Sequence, residues 1–276
     1  MTLVLYGDVP LIRIHTLQKL IAKAEEKHCV LLTAVIENPL GYGRIVRDTE
    51  TGAIKAIIEQ KDTNAEQQEI HEINTGIMLI PNEYLHDWLP KIKNKNMQNE
   101  YYLTDIIALL VKQDIQVASS QAANLWEVMG INNKSQLAAL ERIYQRDCAD
   151  KLLHQGVSLM DPSRIDIRGE LICGSDVEID IDCIFEGNVK LDDFVQIGAH
   201  CILKNVKVAA DTTILPYSLI ENTEIGENCK IGPYARIRPG TKLSNKVHIG
   251  NFVEVKNSQI ASGSKANHLS YIGDSI

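Results

Sequence analysis

The sequence predicts an α/β layer followed by a parallel β-helix of hexapeptide repeats, on three observations. From Ile167 an apolar residue recurs at every sixth position, through Cys173, Ile179, Phe185, Leu191, Ile197 and Leu203. Five-residue steps restart the series at Val208, Ile225 and Ile260, and it continues to Ile272. Before residue 160 the texture changes to apolar, β-branched runs separated by stretches of helical spacing. A period of six fits neither an amphipathic helix nor a simple strand, but it suits a three-sided coil with one short strand per face. No such coil buries its apolar edge alone, so stacked coils share one core.

At 276 residues the chain has room for two domains, expected at 1–133 and 157–276 with a linker helix at 134–156. A net charge of -8 argues against a nucleic-acid surface and against anionic membranes. No apolar run reaches the length of a membrane span, and Met1-Thr2-Leu3-Val4-Leu5 lacks a basic flank and a cleavage site. A soluble, cytoplasmic protein is therefore expected. Of the six cysteines, Cys173, Cys183, Cys201 and Cys229 fall on repeat positions that point into the coil or its corner, and none forms a CxxC pair. They read as small core residues.

In chain order, Leu3-Val4-Leu5-Tyr6 reads as a buried strand broken by Gly7-Asp8-Val9-Pro10. A helix is expected from Thr16 to Lys27, then a strand from Val30 to Ile36. Strand-helix-strand order marks an α/β layer of parallel strands, with ligands beyond the carboxyl ends of the strands, where Asp8 falls. Gly41-Tyr42-Gly43-Arg44 opens a hairpin, Ile45 to Arg47 and Ala53 to Ile58, which delivers Glu59 and Lys61. Asp62 to Glu69 reads as a polar loop, and Glu72-Ile73-Asn74-Thr75-Gly76 leads into a strand from Ile77 to Ile80. Helices at Asn82 to Lys91 and Leu103 to Lys112 precede strands at Ile115 to Ala118 and Glu127 to Ile131. Gln136 to His154 has helical spacing and stops at Gly156. Taken singly, Asp8 suits a turn former as well as a metal ligand, Asn132 a helix cap, and Glu59 a surface charge.

Several stretches together resemble one family. Leu5-Tyr6-Gly7-Asp8-Val9-Pro10-Leu11, Gly41-Tyr42-Gly43-Arg44-Ile45, Glu72-Ile73-Asn74-Thr75-Gly76, Glu100-Tyr101-Tyr102-Leu103-Thr104-Asp105 and Val128-Met129-Gly130-Ile131-Asn132-Asn133 form one set. Ile231-Gly232-Pro233-Tyr234-Ala235-Arg236-Ile237-Arg238-Pro239-Gly240, Gly250-Asn251-Phe252-Val253-Glu254-Val255-Lys256 and Ser264 through Asp274 form another. They are similar to the bacterial bifunctional N-acetylglucosamine-1-phosphate uridylyltransferases / glucosamine-1-phosphate N-acetyltransferases, over essentially the whole chain.

That resemblance implies a partial Rossmann-like nucleotidyltransferase domain, then a left-handed β-helix that assembles as a homotrimer. It implies two reactions on the route to UDP-N-acetylglucosamine and cell-wall precursors: acetyl transfer from acetyl-CoA to glucosamine 1-phosphate, and uridylyl transfer from UTP to N-acetylglucosamine 1-phosphate. By the same resemblance Asp8 and Asn132 hold Mg2+, while Tyr6, Gly7, Gly43, Glu59 and Asn74 contact nucleotide and amino sugar. The chemistry is compatible. A hard cation on oxygen ligands offsets the repulsion of two joining phosphate anions.

In the second domain, Arg238 and Lys256 lie eighteen residues apart, each directly after an inward apolar residue, so they stack on adjacent coils of one face. Tyr271 reaches that face one coil later. A lone Arg or Lys there reads first as a solvated charge, but two cations and a phenol in a column, together with the resemblance, suit a sugar phosphate. His268 by default reads as a corner residue; its position beside the column and the resemblance of its motif make it the expected general base that takes a proton from the sugar amine.

Family members open with a strand and a glycine-rich nucleotide loop and end with further coils that complete an acetyl-CoA site, and the motifs here match neither part. The expectation is impaired activity for this chain. Two alternatives stand beside it: a non-catalytic, trimer-forming remnant that binds amino-sugar phosphate, and another sugar-1-phosphate nucleotidyltransferase with a β-helix.

Overall fold

The structure, a computed structural model, describes residues 1–24 and 29–275. Contacts divide it into two compact units, Met1–Ala138 and Ala139–Ile276. In the first, β1 (Thr2–Val4), α1 (Ile14–Ala22), β2 (Cys29–Val35), β3 (Arg44–Arg47), β4 (Ile54–Ile58) and α2 (Ala65–Gln68) come first. They lead to β5 (Glu72–Ile80), α3 (Asn82–Trp88), α4 (Asp105–Val111) and β6 (Val117–Gln121). The sheet runs β4-β3-β5-β2-β6, and β1 also pairs with β5.

The sheet is mixed, which corrects the expectation of parallel strands. β1 and β2 both run antiparallel to β5, which lies between them, and β2 with β6 is the one parallel pair of this sheet among the described residues. Eight of the nine β5 residues are buried, so this strand takes the centre, where apolar side chains are covered on both faces.

Three local expectations also change. The segment Asp62 to Glu69 holds α2, because Asn64 Oδ1 accepts from the Gln67 N–H at 2.8 Å and Gln67 Oε1 accepts from the Asn64 N–H at 3.0 Å, a capping box. No strand forms at Glu127 to Ile131. Leu125–Val128 is instead one 3-10 turn around the fully buried Glu127, whose carboxylate accepts from the Thr16 hydroxyl and from the Asn124 N–H at 3.1 Å. Helix α1 closes at Ala22, and the part of the expected helix from residue 25 to Lys27 lies outside the described residues.

Helix α5 (Lys134–His154) spans the unit boundary by residue number. In the second unit it buries Ala149 and Leu152 against the first coils. Gln145 accepts from the Ile167 N–H at 2.8 Å and donates to the Ile167 carbonyl at 2.9 Å, which satisfies the backbone of a strand edge that has no earlier coil beside it.

The rest of the unit is a parallel β-solenoid. One seven-stranded sheet stacks Ser158–Leu159 through Lys265–His268, and one nine-stranded sheet stacks Ile165–Cys173 through Tyr271–Gly273. The six-residue apolar series is the core: Phe185, Leu191, Leu203, Ile220, Ile231, Ile237, Ile249 and Val255 are each at most 1% exposed. The residue two positions earlier is buried too, as at Val177, Cys183, Val195, Cys201, Val247 and Val253.

Each coil turns on a residue with positive φ directly before that small residue, for example Asp182, His200, Tyr217, Tyr234 and Phe252. Non-glycine residues adopt this conformation at a cost. At this corner the rings of His200, Tyr217, Tyr234 and Phe252 stack at 4.7, 4.9 and 5.2 Å between centroids. At the next corner Asn205 donates to Asn222 at 3.1 Å, and further along Asn257 donates to Asp274 at 2.8 Å.

The cysteines are free thiols. Cys183, Cys201 and Cys229 lie in the core, and their thiols donate to the carbonyls of Gly198, Leu215 and Ser244 on the next coil at 3.2, 3.3 and 3.1 Å. Burial pushes Cys201 and Cys173 up to about 12 and Cys183 to about 11.

Candidate functional site

In the first unit the candidate residues gather around β5. The Gly43 carbonyl accepts from the Asn74 N–H at 2.8 Å, and the Asn74 side-chain oxygen accepts from the Gly76 N–H at 3.1 Å. The Tyr6 ring lies on Gly76: a Cβ there would stand 1.8 Å from Tyr6 Cε2. Beside Gly43 sits the Glu59 carboxylate, 3.2 Å from where a Gly43 Cβ would be. Glycine at both places lets a functional side chain close on the sheet.

Glu59 is half-buried, and the buried Thr104 hydroxyl donates to its Oε1 at 2.9 Å. Partial burial raises the Tyr6 phenol, and the charges of Glu59 and Asp8 raise it further. Gly7 is exposed in the turn between Tyr6 and Asp8.

Asp8 is exposed, its carbonyl accepts from the Ile131 N–H at 2.9 Å, and its Oδ2 would stand 3.5 Å from a Cβ on Gly130. The Gly130-Ile131 segment therefore runs against Asp8, with Asn132 next in the chain. The helix cap of α5 is Asn133, whose Oδ1 accepts from the Gln136 N–H at 2.9 Å, and the Asn132 N–H donates to Gln136 Oε1 at 2.7 Å. Capping is thus done by its neighbour, and Asn132 is exposed.

In the second unit, strand register fixes the geometry of the charged face. Arg168, Glu186, Lys204 and Glu221 are aligned across successive coils, directly after the inward residues Ile167, Phe185, Leu203 and Ile220. Because Ile220 pairs with Ile237, and Ile237 with Val255, Arg238 and Lys256 continue this column, and Lys256 pairs with Gly273. Charges alternate as far as Arg238. Arg168 and Lys204 both pair with Glu186, at 3.2 and 3.4 Å. At Arg238 and Lys256 two cations come together, an arrangement that costs energy on neighbouring strands.

Each of these cations has a carboxylate to one side: Arg238 Nη1 lies 2.9 Å from Glu254 Oε1, and Lys256 Nζ lies 3.4 Å from Asp274 Oδ2. The Asn257 amide, and then the Lys256 ammonium, hold the Asp274 carboxyl below its usual range. Tyr271 aligns with Glu254, not with Lys256, but its ring leans along the strand over Gly273. His268 is exposed and aligns with Asn251 on the other sheet, one residue before the corner at Leu269.

Sequence reasoning did not single out Thr104, Gly76, Glu254, Asp274 or Gly273. Thr104 stood within the Glu100–Asp105 stretch, and Glu254 and Asp274 were reachable from coil spacing. What Gly76 and Gly273 accommodate is visible only when the ring above each is placed.

The two units define a class: a sheet unit with an acidic, glycine-lined site, and a hexapeptide β-solenoid with a cationic column. The family described as GMPPB C-terminal domain matches residues 167–266. Over 275 residues the chain is 63% identical to the bifunctional protein GlmU of Nitrosospira multiformis, covering 100% of this chain and 60% of that protein. The GlmU proteins of Nitrosomonas eutropha and Nitrosomonas europaea are 57% and 58% identical over 273 residues, covering 99% of this chain and 60% of each. The resemblance read from the motifs is thereby borne out: from end to end this chain is similar to bifunctional GlmU proteins, and it spans 60% of their length.

Proposed function

We propose that the chain carries parts of both sites of a bifunctional UDP-N-acetylglucosamine-forming enzyme, and that its solenoid column binds the phosphate of glucosamine 1-phosphate. The observation that carries this reading is the break in charge alternation at Arg238 and Lys256. A dianionic phosphate between the two cations relieves their repulsion, with the Arg238 fork and the Lys256 ammonium as donors. The exposed imidazole of His268 lies three residues from Tyr271 across one corner and serves as the base that accepts the amine proton before attack on the acetyl-CoA thioester. Placement in the cytoplasm and assembly as a trimer through the solenoid belong to the same proposal; among the described residues no helix is long and apolar enough to cross a membrane.

In the sheet unit, Glu59 and Asn74 would meet sugar hydroxyls, Tyr6, Gly7 and Gly43 would contact the nucleotide, and Asp8 and Asn132 would hold Mg2+. The residues fit that ion: one exposed carboxylate and one exposed amide oxygen, on segments joined by the Ile131–Asp8 hydrogen bond, suit a hard cation that keeps most of its shell for phosphate and water. When bound, the ion offsets the repulsion between the two phosphates being joined.

The test is calorimetric titration with glucosamine 1-phosphate, set against inorganic phosphate and N-acetylglucosamine, for the chain and for R238A/K256A. Binding of the sugar phosphate that disappears in the double variant is the expected result. No binding to the unaltered chain, or equal binding by the variant, overturns the reading.

A further inference from the structure

We propose that Gly273 is a positioning residue for Tyr271: by having no side chain it lets the phenol lie across its own column and brings the hydroxyl beside Lys256. This rests on the reading of that column as a sugar-phosphate site.

Register sets the problem. Tyr271 aligns with Glu254 and, one coil earlier, with Arg236, whereas the phosphate column passes through Arg238, Lys256 and Gly273. Residues two apart on a strand share a face, so Tyr271 and Gly273 both point outward with Ile272 packed inward between them. A phenol standing straight out from Tyr271 would face Glu254. Instead the ring lies along the strand, and a Cβ on Gly273 would be 2.5 Å from the hydroxyl oxygen, 2.7 Å from Cζ and 2.8 Å from Cε1.

The column itself makes the glycine conspicuous. At its preceding positions stand Arg168, Glu186, Lys204, Glu221, Arg238 and Lys256, all long and charged. Nor does the backbone demand glycine, because Gly273 is a strand residue outside the left-handed region. The space for the ring is the requirement.

The ring is also the part free to give. Tyr271 is 61% exposed, whereas the Gly273 segment is tied by the Asp274 N–H to the Lys256 carbonyl at 3.0 Å and by the Ser275 hydroxyl to the Gly273 carbonyl at 3.0 Å. A methyl group at position 273 therefore displaces the phenol and leaves the coil in place. The sugar phosphate keeps both cations and loses the hydroxyl.

The experiment uses the full chain, G273A, Y271A and the double variant, with ring-labelled tyrosine followed by NMR and titration with glucosamine 1-phosphate. The expected result is an unchanged melting temperature for G273A, a moved Tyr271 ring resonance without ligand, and affinity lowered about tenfold. On the Y271A background, G273A has no further effect, since a residue that acts only through another is non-additive with it. An unmoved Tyr271 resonance overturns the proposal whatever the chain binds, and so does full additivity of the two substitutions. If the ring moves but the unaltered chain binds no glucosamine 1-phosphate, the substrate reading falls while the positioning of Tyr271 by Gly273 stands.

Discussion

The Thr104 hydroxyl donates to Glu59 Oε1 at 2.9 Å, which ties the residue preceding α4 to the carboxylate that follows β4. Thr104 is 6% exposed and Glu59 half-buried, so the bond fixes an acceptor that would otherwise sample several rotamers. Removing the hydroxyl with T104V keeps the volume and frees the carboxylate. A hydrogen bond to a charged group is worth about 1.5–3 kcal/mol, so chemical denaturation is expected to show a loss in that range. On the function proposed for the sheet unit, affinity for UDP-N-acetylglucosamine, followed by calorimetry, is expected to fall about tenfold.

Gly76 has φ +80° and carries the Tyr6 ring. Gly76→Ala meets both obstacles at once, the backbone conformation and a Cβ 1.8 Å from Tyr6 Cε2. The expected cost is about 1–3 kcal/mol of stability, read by urea denaturation, together with a changed tyrosine signal in near-ultraviolet circular dichroism. An unchanged midpoint would refute this account of Gly76.

Leu203 is wholly buried in the middle of the solenoid and packs with the core residues of the coils above and below. Leu203→Ala leaves a void that neighbouring coils, held by parallel backbone bonding on both sides, are poorly able to close. A loss of about 2–5 kcal/mol is expected from denaturant unfolding. Hydrogen exchange is expected to accelerate most in the adjacent coils, because coils support one another through nearest neighbours.

The buried thiols give the solenoid an alkaline limit. Cys201 is pushed from 9.0 up to about 12, chiefly by burial, so between those values the unfolded chain releases a proton that the folded chain keeps. The folded pKa is the higher one: this contribution is complete below pH 9 and is lost as pH rises toward 12. The slope is at most about 1.4 kcal/mol per pH unit for one such group. Cys201→Ala is expected to flatten the fall of stability across that window relative to the unaltered chain. At pH 8 the thiols of Cys183, Cys201 and Cys229 are expected to resist alkylation until the chain unfolds, as mass spectrometry can show.

By itself the sequence determined the solenoid almost residue by residue. A six-residue period admits one way of burying Phe185, Leu203, Ile220 and Ile237 together, so core, corners and the shared column of Arg238 and Lys256 follow from counting. The sheet unit was less legible because its order depends on long-range pairing. Nothing local says that β5 inserts between β1 and β2, and Glu127 reads as part of a strand until Thr16 is found bonded to its buried carboxylate. Motif and chemistry could nominate Asp8, Glu59 and Tyr271, but only the tertiary structure shows what meets them: the Ile131 N–H on the Asp8 backbone carbonyl, the Thr104 hydroxyl on the Glu59 carboxylate, and Gly273 beside the Tyr271 ring. Periodicity records which face a side chain takes. Where its tip comes to rest depends on neighbours brought from elsewhere in the chain, and no local spacing encodes them.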